Sequence, residues 1–149
     1  MDNVNAPRQR WMGVLARTPL TVLEAALADL DRAPGYQMLR RPEIGLAMVR
    51  GRAGGTGQRF NLGEMTVTRC SLRLEGGAVG HGFVAGRDRR KAELAALFDA
   101  LLQDPAHRDR LETRLIAPSE AAEQARKRQV EAATAPSKVN FFTMVRGES

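Results

Sequence analysis

The chain has 149 residues, a formal net charge of +6, 43% hydrophobic and 27% charged residues, and one cysteine. These values are ordinary for a soluble globular protein, and the single Cys70 rules out an internal disulfide or a cysteine cluster for zinc. No run of 18 apolar residues exists, so no membrane span is expected.

The length suits one domain over residues 1–149, with helices and sheet over 8–135 and a docking tail over 136–149. Met1 to Arg10 is polar and lacks the apolar stretch of a signal peptide, which makes the cytoplasm the default location.

Residues 8–17 read as a short helix with Trp11, Val14 and Leu15 on one side. Thr18 fits an N-cap and Pro19 a first helical position, followed by Leu20, Leu23, Leu27 and Leu30 at helical spacing. Pro34-Gly35 ends that helix.

The period then changes to two. Residues 36–41 read as a strand ahead of Pro42, and 44–50 as a second strand, apolar on both faces and therefore expected at the centre of the sheet. GRAGGTGQRF, residues 51–60, connects it to a strand over 64–74. The alternation of that strand slips, which predicts a bulge near Thr68–Cys70. Glu75-Gly76-Gly77 signals a hairpin, and 78–86 the return strand, with Val79, His81, Phe83 and Ala85 on one face. On its other face Gly80 and Gly82 leave a flat surface where another backbone can pack closely.

Asp88 is the expected N-cap of a helix over 89–103, with Leu94, Leu97, Phe98, Leu101 and Leu102 as its apolar stripe. Pro105 opens a helix to about Leu115, and Pro118 or Ser119 opens a last one over 119–133, nearly all alanine and charge. The tail VNFFTMVRG, 139–147, is unusually apolar for a terminus. It docks either on its own sheet or on a partner, and its company with the alanine-rich helix favours a partner. The expected fold is α+β: an antiparallel sheet of three or four strands, N- and C-terminal helices and an extended apolar tail.

The chemistry visible in the residues is sparse. The glycine loop matches neither G-x-x-x-x-G-K-[ST] nor G-x-G-x-x-G, so it is either a generic anion cradle or a plain strand connection. His81 and His107 are isolated, no H-E-x-x-H occurs, and no G-x-S-x-G elbow is present, so neither a metal site nor a nucleophile is expected. Cys70 reads as a small buried hydrophobe. Glu64, Glu93 and Asp99 lie in or near the core without a pattern that pairs them as acid and base. Arg87, Arg89 and Arg90 crowd a helix start, where an anion would favour them, or else they point to solvent. The positive charge is spread evenly and no RNP-like aromatic pattern appears, so nucleic acid is not the expected partner.

Five blocks carry a resemblance. RQRWMGVLA (8–16), GGTGQRFNLGEMTVTR (54–69), GRDRRKAELAALFDAL (86–101), LIAP (115–118) and VNFFTMVRG (139–147) resemble the PhnG family, the G subunit of the bacterial carbon–phosphorus lyase machinery for phosphonates. The resemblance implies work with subunits H, I and L in transferring ribose triphosphate from ATP to an alkylphosphonate such as methylphosphonate. Adenine leaves and ribose 1-methylphosphonate 5-triphosphate forms. It also implies a core complex of G, H, I and J. The nucleosidase chemistry then belongs mainly to I and the radical cofactor to J, so this chain binds no cofactor of its own and ATP is a substrate of the complex.

Such a reaction asks for clamped phosphates and excluded water. Arg52, Arg59 and Arg69 are the candidate forks, Thr56 a hydroxyl donor, and Gly54, Gly55 and Gly57 the close backbone approach. Phe141, Phe142, Met144, Val145 and Arg146 are the candidate partner contacts. Two functional readings remain: an assembly subunit whose tail and helices bind I, preferred because no complete catalytic set is present, and a contributor to a shared active site. An RNA-binding module is a remote third.

Overall fold

The computed structural model describes the backbone of residues 5–52 and 59–147 and the side chains of residues 5–51 and 62–133. Two helices, α1 (Ala6–Arg17) and α2 (Leu20–Ala28), precede three strands, β1 (Tyr36–Arg52), β2 (Arg59–Leu74) and β3 (Val79–Ala85). Helix α3 (Arg89–Leu102) follows, then α4 (Pro105–Leu111), a π-helical turn (Glu112–Ile116) and α5 (Ala117–Gly147). The sheet is antiparallel in the order β1-β2-β3.

Helix α3 is the centre of the core. Ala92 and every residue from Leu94 to Leu102 are buried. The Asp88 side chain caps its start, accepting from the Lys91 N–H at 2.9 Å, as the sequence predicts. Arg108 closes its other end by donating to Leu102 O at 2.8 Å, satisfying a carbonyl that the helix leaves unpaired.

The helix lies directly on β3 because of two glycines. A Cβ built at Gly80 would stand 1.9 Å from Ala96 O, and one at Gly82 2.1 Å from Ala92 O. The flat strand face expected from the sequence is therefore filled by helix backbone.

Five expectations are corrected. Thr18 closes α1 instead of capping α2: its hydroxyl donates back to Val14 O at 2.7 Å, and Pro19 occupies the N-cap position. The two short strands around Pro42 are one strand, β1, which passes the proline through register shifts between Met38, Arg40 and Glu43. That strand is an edge, not the centre: the order is β1-β2-β3, and its Leu46 and Met48 are exposed.

Nor does β2 bulge at Thr68–Cys70; its pairing with β3 is unbroken from Val67 to Arg73. The apparent slip arose because Thr68, a polar residue, occupies a core position. It is fully buried and satisfied by donating to Gly86 O at 2.7 Å.

The last helix also runs further than its pattern suggested. The backbone is helical from Ala117 to Gly147, through Pro136 and the segment expected to be extended.

Buried among these elements is one charge. Asp99 of α3 is fully buried and accepts four hydrogen bonds. Arg8 gives two, from Nε at 3.1 Å and Nη2 at 2.9 Å. Trp11 Nε1–H gives one at 2.8 Å, and the His81 backbone N–H one at 2.9 Å. A buried carboxylate so saturated is tolerated, whereas removing it strands its donors.

Two outcomes are expected in urea unfolding followed by the fluorescence of Trp11, the sole tryptophan. Gly82→Ala drives a methyl into the α3 backbone and lowers stability by about 3 kcal/mol. Asp99→Ala lowers it by about 3–5 kcal/mol, and Asp99→Asn, which keeps one acceptor oxygen, by less.

Candidate functional site

The β1–β2 hairpin is longer than the rest of the sheet. Strand β3 pairs with β2 only over Val67–Arg73, so the hairpin continues as a two-stranded arm to Arg52 and Arg59. Eight residues beyond Val67 carry it about 27 Å further at roughly 3.4 Å per residue. A two-stranded ribbon has no second layer to cover its apolar side chains. Leu46 is 68% exposed, Leu62 62%, Met48 53% and Met65 39%.

The predicted phosphate residues divide between two places. Arg52 and Arg59 face each other in register at the end of the arm. Their side chains, and Gly54, Gly55, Thr56 and Gly57, lie outside the described residues. Arg69 is ten residues further along β2, about 33 Å from Arg59 at roughly 3.3 Å per residue. The fold thus brings Arg52 and Arg59 together and holds Arg69 apart from them. Phe141, Phe142, Met144, Val145 and Arg146 fall on the helical backbone of α5, with side chains outside the described residues.

Arg69 belongs instead to the sheet face turned away from α3. On that face β2 presents Arg69, Ser71 and Arg73, and β3 presents His81 and Phe83 as their neighbours. Strand β1 adds Arg40 opposite Ser71 and Glu43 opposite Arg69. Ser71 Oγ and His81 Nδ1 are hydrogen-bonded at 2.8 Å. Glu43 Oε1 accepts from Arg40 at 3.2 Å and lies 3.9 Å from Arg69. Phe83 is 49% exposed. Sequence reasoning singled out Arg69 and His81 but missed Arg40 and Arg73. The Arg69-Ser71-Arg73 alternation was the available signal, and the slip assumed at Thr68–Cys70 concealed it.

Other candidates are absorbed by the fold. Arg90 pairs with Glu24 at 3.2 Å and Glu93 at 3.5 Å, so it answers an internal acidic pair. Arg87 and Arg89 are exposed. Glu93 also accepts from the Tyr36 hydroxyl. Burial, together with that carboxylate, pushes the Tyr36 pKa up to about 12. Cys70 is buried beside Met38, and burial with the nearby Glu93 charge pushes its thiol up to about 11. That is the inert cysteine expected from the sequence, not a nucleophile.

Glu64 sits on the arm, exposed, opposite Met48. A cleft of about 730 Å³ opens at the other end of the sheet, with Leu30, Leu74 and Leu101 among its walls and Arg32, Glu75 and His107 among its polar groups. Among the described residues no group of three metal-ligating side chains comes together, and no helix is long and apolar enough to cross a membrane.

Helix α5 is held at its start by charge. Arg10 of α1 bonds Glu112 at 2.5 Å and Glu120 at 2.9 Å, and Arg17 bonds Glu123 at 2.6 Å. Beyond these pairs its residues to 133 are exposed apart from the half-buried Ala125, with Val130 at 63%.

Comparison with known proteins agrees with these blocks. Residues 6–147 match the family described as phosphonate metabolism protein PhnG. A curated relative from Rhizobium meliloti (strain 1021), the alpha-D-ribose 1-methylphosphonate 5-triphosphate synthase subunit PhnG, is 48% identical over 145 residues, covering 96% of this chain and 91% of the relative.

The two raised acid groups predict an alkaline limit to stability. The folded state holds the Cys70 and Tyr36 protons more tightly than the unfolded chain does. Their contribution is therefore complete below about pH 9 for Cys70 and about pH 10 for Tyr36, and is lost as pH rises through about 11 and about 12. Urea midpoints measured from pH 8 upward should fall across that window, and Cys70→Ala should remove its lower part.

Proposed function

Because the chain belongs to the PhnG family of phosphonate metabolism proteins, we propose that it is a subunit of a ribose 1-methylphosphonate 5-triphosphate synthase, acting mainly in assembly. In this reading it works with subunits H, I and L to transfer ribose triphosphate from ATP to methylphosphonate, with release of adenine. It joins H, I and J in the core of the carbon–phosphorus lyase machinery. It binds no cofactor of its own, and a reaction fed by ATP places it in the cytoplasm.

The observation that carries the assembly role is the arm. Leu46, Met48, Leu62 and Met65 are displayed on a ribbon that the chain's own core does not reach. An exposed apolar surface of this kind is expected to be covered in the working protein. Helix α5, about 46 Å long at 1.5 Å per residue, offers a second projecting element that ends in the apolar residues 139–147.

A second reading rests on the Arg52–Arg59 register pair at the end of the arm. Two guanidinium side chains from facing strands, flanking a glycine-rich connection, suit a phosphate group delivered into a neighbouring subunit's site.

One experiment separates the two. The chain is co-purified with its partner subunits and adenine release from ATP plus methylphosphonate is followed. Leu46→Asp/Met48→Asp should abolish co-purification while leaving the free chain folded by Trp11 fluorescence. Arg52→Ala/Arg59→Ala should assemble and turn over normally if the role is assembly. A complex that assembles but loses adenine release by about a hundredfold or more transfers the conclusion to the shared active site. Normal assembly of the Leu46→Asp/Met48→Asp chain removes the arm from the argument.

A further inference from the structure

The open face of the sheet carries more than a solvated surface needs. Arg69 and Arg73 lie on the same face of β2, with Ser71 between them, so their Cα atoms are about 13 Å apart. Arg40 stands beside Ser71 on β1. Three guanidiniums therefore surround one small polar pair, Ser71 and His81, joined at 2.8 Å. Against them stands one carboxylate, Glu43, engaged by Arg40 and within 3.9 Å of Arg69. Arg73 has no ion-pair partner among the described residues. One carboxylate among three guanidiniums leaves this face with a net positive charge, and Arg73 is free to take an anion laid across it.

We propose that this face binds a polyphosphate chain, with Arg69 and Arg73 gripping its two ends and the Ser71–His81 pair donating to its middle. Arginine forks match phosphate oxygens in twos. When the Ser71 hydroxyl donates to Nδ1, the neutral imidazole keeps its proton on Nε2 as a donor to the ligand. The span from Arg69 to Arg73 suits a row of phosphates better than a single one. Phe83, half exposed beside Arg69, provides an apolar bed for an organic group esterified at that end.

The platform is rigid as well as basic. The His81 backbone N–H is tied to the buried Asp99, and β3 cannot lift from α3 without opening the glycine contacts. This inference goes beyond the assembly role and uses none of the arm or α5 residues that carry that role.

The test is calorimetric titration of the full chain with inorganic tripolyphosphate and with ATP, adenosine serving as the uncharged control. Tripolyphosphate and ATP should bind and adenosine should not, and binding should shift the His81 ring resonances. Arg69→Ala/Arg73→Ala should weaken binding about tenfold or more, and Ser71→Ala/His81→Ala should weaken it too, each with a native Trp11 spectrum. Arg126→Ala/Arg128→Ala on α5, which removes the same charge elsewhere, should leave the affinity unchanged.

Absence of binding at millimolar tripolyphosphate overturns the proposal. So does undiminished affinity in the Arg69→Ala/Arg73→Ala chain. Tighter, steeply salt-dependent binding of single-stranded RNA reassigns the face to nucleic acid. Binding by the free chain that disappears on assembly with the partner subunits reassigns it to an acidic protein surface.

Discussion

The Asp99 carboxylate joins three parts of the chain that are distant in sequence. Arg8 and Trp11 reach it from α1, its own helix lies at the centre of the core, and His81 meets it from the outer edge of β3. An ionised group removed from water is costly unless its lone pairs are filled. Here each oxygen accepts two hydrogen bonds. The arrangement also closes β3. Its outward Val79 carbonyl accepts from Arg8 at 3.2 Å and from Gln103 at 2.7 Å, while its His81 N–H is held by Asp99. Side chains thus occupy two outward backbone groups at the start of that edge, which blunts it as a template for another strand.

The opposite edge is managed differently. Strand β1 has Pro42, Arg40, Arg41 and register shifts over its first half, all of which discourage pairing. Its second half, Ile44 to Val49, has no charge and no proline. That is the half that runs into the arm and carries Leu46 and Met48. Protection of the edge therefore stops where the projecting apolar surface begins. The two halves of one strand serve opposite ends: keeping the body to itself and presenting the arm to something else.

Much of this was legible in the residues. The Trp11-Val14-Leu15 stripe, the Asp88 cap, the α3 stripe and the Gly80/Gly82 face all follow from local periodicity and local chemistry, and each is found as expected. What failed had non-local causes. A strand apolar on both faces suggests the centre of a sheet, but β1 is apolar because it projects, a fact of topology that no window of residues contains. Thr68 broke a hydrophobic pattern because its hydroxyl found Gly86 O, a partner just past the end of β3. Asp99 looked like an unassigned acid because its side-chain donors lie 88 and 91 residues away along the chain. The basic face was half legible: the alternation of Arg69 and Arg73 was in the sequence, while Arg40 and His81 joined them only through register.

The close seating of α3 on β3 has a consequence for how this sheet can vary. With Gly80 and Gly82 held to hydrogen by the helix carbonyls, the middle of β3 is a strand with one usable side. Only positions 79, 81, 83 and 85 are free to change, and all of them look outward. Selection acting on β3 therefore acts almost wholly on the exposed face, without disturbing the core behind it. The helix contact insulates the two sides of the sheet from each other, so that new surface chemistry can be tried there at little risk to the fold.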